Sequence, residues 1–167
     1  MSLHKEADRT AAIIAASLVE SVLEQLLISS FKNRSSALLP RLFENRGPLS
    51  DFNSKILIGE AYRVTGLKHE ELQRVRHIRN CFAHARQPVT FDTPEIAKEV
   101  DDFAAIKAIK KVREDYETRG ETSGYEHMGR KGSYVLSCHI LMIMMEHIHI
   151  EMGGATLISK PKSSPEK

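Results

Sequence analysis

Within the stretch Ile78-Arg79-Asn80-Cys81-Phe82-Ala83-His84 the chain places a guanidinium, an amide and an imidazole. Together these groups suit phosphodiester chemistry. Imidazole titrates near neutral pH, so His84 is a candidate to take a proton from a ribose hydroxyl or return one to a leaving oxygen. The planar donor fork of Arg79 suits the charge that develops on a phosphate, and the Asn80 amide would orient either group. This chemistry needs no metal. The same residues also fit a structural role. An arginine bordering a core pairs with a buried acid, here Glu20 or Glu24 one helical turn apart, and a histidine near a helix end complements the dipole. Spacing alone favours the structural role.

The supporting element must be a helix. At about 100° per residue, Leu72, Val75, Ile78 and Phe82 fall on one face and predict its core side. Gln73, Arg76, His77, Asn80 and His84 form a polar arc, and Arg79 sits at the border. Asn80 and His84, four apart, share a face. Arg79 and His84, five apart, diverge. Their convergence on one phosphate requires the helix to end near Ala83, which Pro88 favours, or a second copy across a two-fold axis.

The remaining elements follow from periodicity and punctuation. Ala12, Ala15, Val19, Val22, Leu23, Leu26 and Leu27 predict a helix over 8–31 with Asp8 as N-cap. A polar connection follows, broken by a short amphipathic turn over 37–43. Gly47-Pro48-Leu49-Ser50 reads as a turn with Ser50 as N-cap of a helix over 52–64, which Gly66 stops. The motif helix is expected from Lys68 to 85–87. Thr93-Pro94-Glu95 starts another helix that runs to Gly120. A glycine-rich loop precedes a last element, 134–152, read as a buried helix with a strand as the alternative. The expectation is an all-α bundle of about five helices, one domain over 1–158, and a disordered polar tail over 159–167.

Composition narrows the function classes. With 167 residues the chain buries a substantial core unaided, and a formal charge of +2 is too small to signal non-specific nucleic-acid or membrane binding. Cys81 and Cys138 read as reduced thiols, the N-terminus lacks a signal-peptide run, and the apolar run from Ile140 to Met145 is too short to span a bilayer. A cytoplasmic location without membrane partner is expected. His139, His147 and His149 with Glu146 and Glu151 lack a metal-binding pattern, and Gly124, Gly129 and Gly132 do not make a phosphate loop. No metal or other cofactor is expected. Arg74, Arg76, Arg79 and Arg86 share their helix with core residues, so direct sequence-specific DNA reading is not expected.

The blocks Arg9-Thr10-Ala11-Ala12 through Leu27, Leu42-Phe43, Gly47-Pro48-Leu49-Ser50 and Ile78-Arg79-Asn80 with Phe82-Ala83-His84 resemble, in this order, the mannitol operon repressor (MltR-like) family. The likeness covers about 7–88. The Arg79-Asn80 to His84 spacing also resembles HEPN domains, many of which are dimeric, metal-independent endoribonucleases and others scaffolds. The first resemblance implies a helical, homodimeric regulator of transcription acting through protein partners. The second implies that Arg79 binds a phosphate of RNA, Asn80 orients it and His84 serves as acid or base at a dimer cleft.

Overall fold

The first helix, α1 (Leu3–Ser30), is the axis of the fold. Its stripe Ala12, Ala16, Val19, Leu23, Leu26 and Leu27 is fully buried, as three- and four-residue spacing requires. The computed structural model describes residues 3–62, 69–120 and 128–151, with side chains in α1 from residue 7 onward. Among them follow α2 (Leu39–Phe43), α3 (Phe52–Ala61), α4 (His69–His84), α5 (Pro94–Asp101), α6 (Ala104–Thr118) and α7 (Arg130–Glu151). They pack as one all-α bundle, with no strand among the described residues.

The longest contact in the bundle joins α1 to α7, with α4 and α3 against another side of α1. Three pairs set the direction of α7. Lys131 meets Asp8 at 3.3 Å, the Tyr134 hydroxyl donates to the Ala12 carbonyl at 3.2 Å, and His149 Nδ1 lies 2.9 Å from Ser29 Oγ. Residue numbers rise together, so the two helices run parallel. Below them an aromatic chain fills the core. Phe82 packs at a tilt against Phe91 (centroids 4.8 Å apart), Phe91 against Tyr134 (5.3 Å) and Tyr134 against Phe103 (6.3 Å). Burial keeps both neighbouring acids protonated: Tyr134 is raised well above an ordinary phenol, and the Cys138 thiol is pushed up to about 12.

The seven helices correct the expected five. The short turn over 37–43 is a helix, α2, and the element expected from Thr93 to Gly120 breaks into α5 and α6. The break is at Phe103, which turns extended (φ −58°, ψ 135°) and sends a fully buried ring into the aromatic chain. The Glu71 carboxylate then accepts from the Ala104 amide at 3.3 Å, which supplies α6 with an acid at its start. Helix α6 ends as expected, with Gly120 left-handed at φ 71°. The last element is a helix, and it starts at Arg130 rather than Tyr134.

Two expected caps move, and a third keeps its place without its side-chain bond. Helix α1 extends back to Leu3, so Asp8 is interior and ion-paired to Lys131. Asp51, not Ser50, caps α3, because its carboxylate accepts from the Ser54 amide at 3.0 Å. Thr93 occupies the N-cap of α5, but its hydroxyl accepts from the Thr90 amide instead. Helix α3 ends at Ala61, short of the expected Val64. Gly66, the start at Lys68, Gly124 and the tail over 159–167 lie outside the described residues. Ala7–Ser30 and Arg130–Glu151 are each long and apolar enough, by length and composition, to cross a bilayer. Core helices that carry apolar residues on more than one face meet the same criterion.

Gly47-Pro48-Leu49-Ser50 serves the fold. The Leu49 amide donates to the Leu42 carbonyl at 2.8 Å and its side chain is buried. This folds the turn back onto α2. A Cβ on Gly47 would collide with the Leu42 carbonyl oxygen and lie 2.6 Å from that of Arg41. Both obstacles are backbone, so Gly47→Ala is expected to lower unfolding free energy by about 2 kcal/mol. Urea denaturation reads it, and an unchanged midpoint would contradict the close approach.

Candidate functional site

Helix α4 divides as its spacing predicts. Leu72, Val75, Ile78 and Phe82 are buried, Asn80 is half-buried, and His84 is exposed. The helix ends at His84, a little earlier than the expected 85–87. Arg9 reaches from α1 to donate to the Ala83 carbonyl at 3.0 Å, which satisfies one of the terminal carbonyl groups.

Arg79 turns toward α1. Its guanidinium lies 3.8 Å from Glu20, too far for a hydrogen bond but within ion-pair range. Glu20 is held more closely by Lys55 of α3, at 2.8 Å, and Lys55 also meets Glu24 at 2.7 Å. Of the two acids proposed for Arg79, the structure puts Glu20 beside it and gives Glu24 to Lys55. The resulting group is neutral: two carboxylates from α1, one ammonium from α3 and one guanidinium from α4.

Lys55 is the residue that sequence reasoning missed. It is only 5% exposed. Burial works to lower its pKa, but the hydrogen bonds and charges of Glu20 and Glu24 outweigh that and hold it above the ordinary value. A signal was present. Phe52, Lys55, Ile56 and Gly59 make the buried stripe of α3, so a lysine stands at a core position opposite two acids spaced one turn apart.

The polar arc of α4 is partly engaged. Gln73 donates to Asn53 at 3.0 Å, Arg76 donates to Gln73 at 2.8 Å, and His77 Nε2 lies 3.6 Å from Cys81 Sγ. Burial, then the charges of Glu95 and Glu99, raises the Cys81 pKa, so this thiol is a poor nucleophile. Asn80 and His84 stand four apart on this arc, whereas Arg79 points to Glu20. Within this chain Arg79 therefore faces α1 while His84 is exposed at the end of α4, and the two are not gathered around a single phosphate.

Two concavities lie away from the motif. One of about 610 Å³, between α5, α6 and α7, contains Asp92, Asp101, Lys110 and Arg130. Arg130 meets Asp92 at 2.8 Å and Asp101 at 3.3 Å, and Lys110 meets Asp101 at 3.1 Å, so its charges are internally matched. The other, about 530 Å³, is an apolar groove lined by Phe31, Leu42, Pro48, Leu49, Ile58 and Tyr62. Among the described residues no three His, Cys, Asp or Glu side chains are grouped to share a metal ion. Of the histidines weighed for one, His147 pairs with Glu151 at 3.1 Å and His149 is buried against Ser29.

Fold and site thus define an all-α bundle whose motif helix is tied to its neighbours by a buried charge network. No protein-family model, curated protein or solved structure matches the chain.

Proposed function

We propose that this protein is a cytoplasmic, homodimeric regulator of the mannitol operon repressor type that acts by associating with protein partners. The observation that carries this reading is the use of the arginines on α4. Arg74 is bound to Glu99 at 2.7 Å and to Asp102 at 3.6 Å, Arg76 to Gln73, and Arg79 faces Glu20. A DNA-reading helix presents such side chains outward to phosphates and base edges. Here Arg74 and Arg79 tie α4 to α5 and α1, and Arg76 is engaged within α4 itself. The resemblance of the blocks over 7–88 supplies the regulatory context. Fluorescence anisotropy with labelled duplex DNA and single-stranded RNA of mixed sequence tests the reading. No binding is expected up to about 100 μM protein near physiological salt, the weak end of ordinary non-specific affinity. Micromolar binding to either would overturn it.

A second reading is metal-independent RNA cleavage by Arg79, Asn80 and His84. One observation favours it: α4 ends at His84, and Asn80 and His84 make no side-chain hydrogen bond with the described residues. Such cleavage needs a second copy to complete the phosphate site.

A further inference from the structure

The apolar groove is built where α1 ends, by α2, the turn after it and α3. Pro48 and Leu49 of the Gly47-Pro48-Leu49-Ser50 turn line it. The Leu49 amide bond to Leu42, and the close approach of Gly47 to the carbonyl oxygens of Arg41 and Leu42, hold that turn in place. The groove is therefore formed before anything enters it, which lowers the cost of binding. Two aromatic rings also line it. Phe31 lies 5.9 Å from Tyr62, centroid to centroid, and Tyr62 is 55% exposed. Tyrosine is among the residues that carry most of the binding energy at interfaces.

Charge decides what the groove takes. Between Lys32 and Arg46 stand four cations, Lys32, Arg34, Arg41 and Arg46, and one acid, Glu44. This local excess is larger than the +2 of the whole chain. Arg34 is engaged at the end of α1, where it donates to the Ser29 and Phe31 carbonyls at 2.6 and 3.0 Å. Lys32 lines the groove, and Lys32, Arg41 and Arg46 are exposed and pair with no acid among the described residues. Glu60 of α3 is held by His69 at 2.8 Å. The concavity beside α7 is different, because Asp92 and Asp101 match its Arg130 and Lys110.

An apolar floor with unmatched cations around it selects an occupant that is apolar on one side and acidic on the other. A second copy docked here across a two-fold axis would bring like charges together. The residues over 159–167 carry Lys160, Lys162 and Lys167 against Glu166, the same sign as the groove. We propose that this groove is the docking site for an acidic peptide segment of a partner protein. Its apolar side chains rest against Phe31, Ile58 and Tyr62, and its carboxylates face Lys32, Arg41 and Arg46. This rests on the reading of the protein as one that works through protein partners, and it names the chemistry of the partner.

The probe is a labelled peptide of about 14 residues with leucines three and four apart and glutamates between. Fluorescence anisotropy with the full chain is expected to give a Kd below about 100 μM. Replacing the glutamates by lysines, or the leucines by alanines, weakens binding at least about 10-fold. Tyr62→Ala weakens it by about 10-fold, and Arg41→Glu with Arg46→Glu by about the same factor. These positions are exposed, so the circular-dichroism spectrum stays intact. Lys111→Glu, an equal charge reversal on α6, leaves binding unchanged. A glutamate peptide that fails to bind at about 100 μM, or binds no better than its lysine counterpart, overturns the proposal. So does binding that Tyr62→Ala leaves untouched, displacement of the probe by a peptide of residues 153–167, or a dimer that Tyr62→Ala dissolves. Decanoate bound in a Tyr62-dependent way by a protein that ignores the peptide overturns it too. Peptide binding by a protein that also cleaves RNA would keep the groove and overturn the functional reading beneath it. Absence of both peptide and nucleic-acid binding would remove the groove and leave that reading standing.

Discussion

Lys55→Met is expected to lower the unfolding free energy by about 3 kcal/mol, the low end of what removing one partner from a buried ion pair costs. Methionine fills the space of the lysine stem but leaves Glu20 and Glu24 facing each other without the ammonium that neutralises them. Glu24 reaches solvent and Arg79 stays near Glu20, which keeps the loss from being larger. Adding Glu20→Gln and Glu24→Gln to Lys55→Met should recover at least half, because the stranded charges are gone. The pH dependence has a definite sign. The folded-state pKa of Lys55 lies above its ordinary value of 10.5, so its contribution is complete below that value and is lost as pH rises through the folded-state pKa. The gap in stability between wild type and Lys55→Met should therefore narrow above about pH 10.5. Urea titrations at neutral and alkaline pH measure it, and a gap that widened would contradict the network.

Phe82→Ala is expected to cost more, about 4 kcal/mol, or roughly 10 °C in melting temperature. The Phe82 ring is 1% exposed and lies 4.8 Å from Phe91, at one end of the chain of rings that leads to Tyr134 and Phe103. Its removal opens a void that α4, held by Arg9 at its end and by Arg79 in its middle, is poorly placed to close. The neighbours on the motif behave differently. Arg79→Ala removes a half-exposed ion pair at 3.8 Å and should cost less than about 1 kcal/mol. His84→Ala, at an exposed helix end, should cost less still. A large loss at His84 with little at Phe82 would reverse the assignment of roles along this helix.

Much of the fold was legible because it depends on period. The buried stripes of α1 and α4 follow three- and four-residue spacing, and Pro94 and Gly120 mark a start and a stop through their own backbone preferences. The breaks that went unread depend on partners distant in sequence. Nothing between Thr93 and Gly120 announces a turn at Phe103; the turn exists because Tyr134 and Glu71 receive its ring and the next amide. Asp8 looked like a cap until Lys131, more than a hundred residues away, gave it an interior role. The candidate site divides the same way. The faces of Asn80, His84 and Arg79 were readable from helical angle, whereas the link from Arg79 through Glu20 to Lys55 needed three helices in place.

The central claim is that Arg79, Asn80 and His84 belong to a helix that organises the bundle rather than to a catalytic centre. The most direct test is to incubate the purified protein with single-stranded RNA in the presence of chelator and to analyse the ends of any fragments. The account predicts intact RNA for wild type and for His84→Ala alike. Fragments with cyclic-phosphate ends from the wild type, abolished in a fully folded His84→Ala, would contradict it.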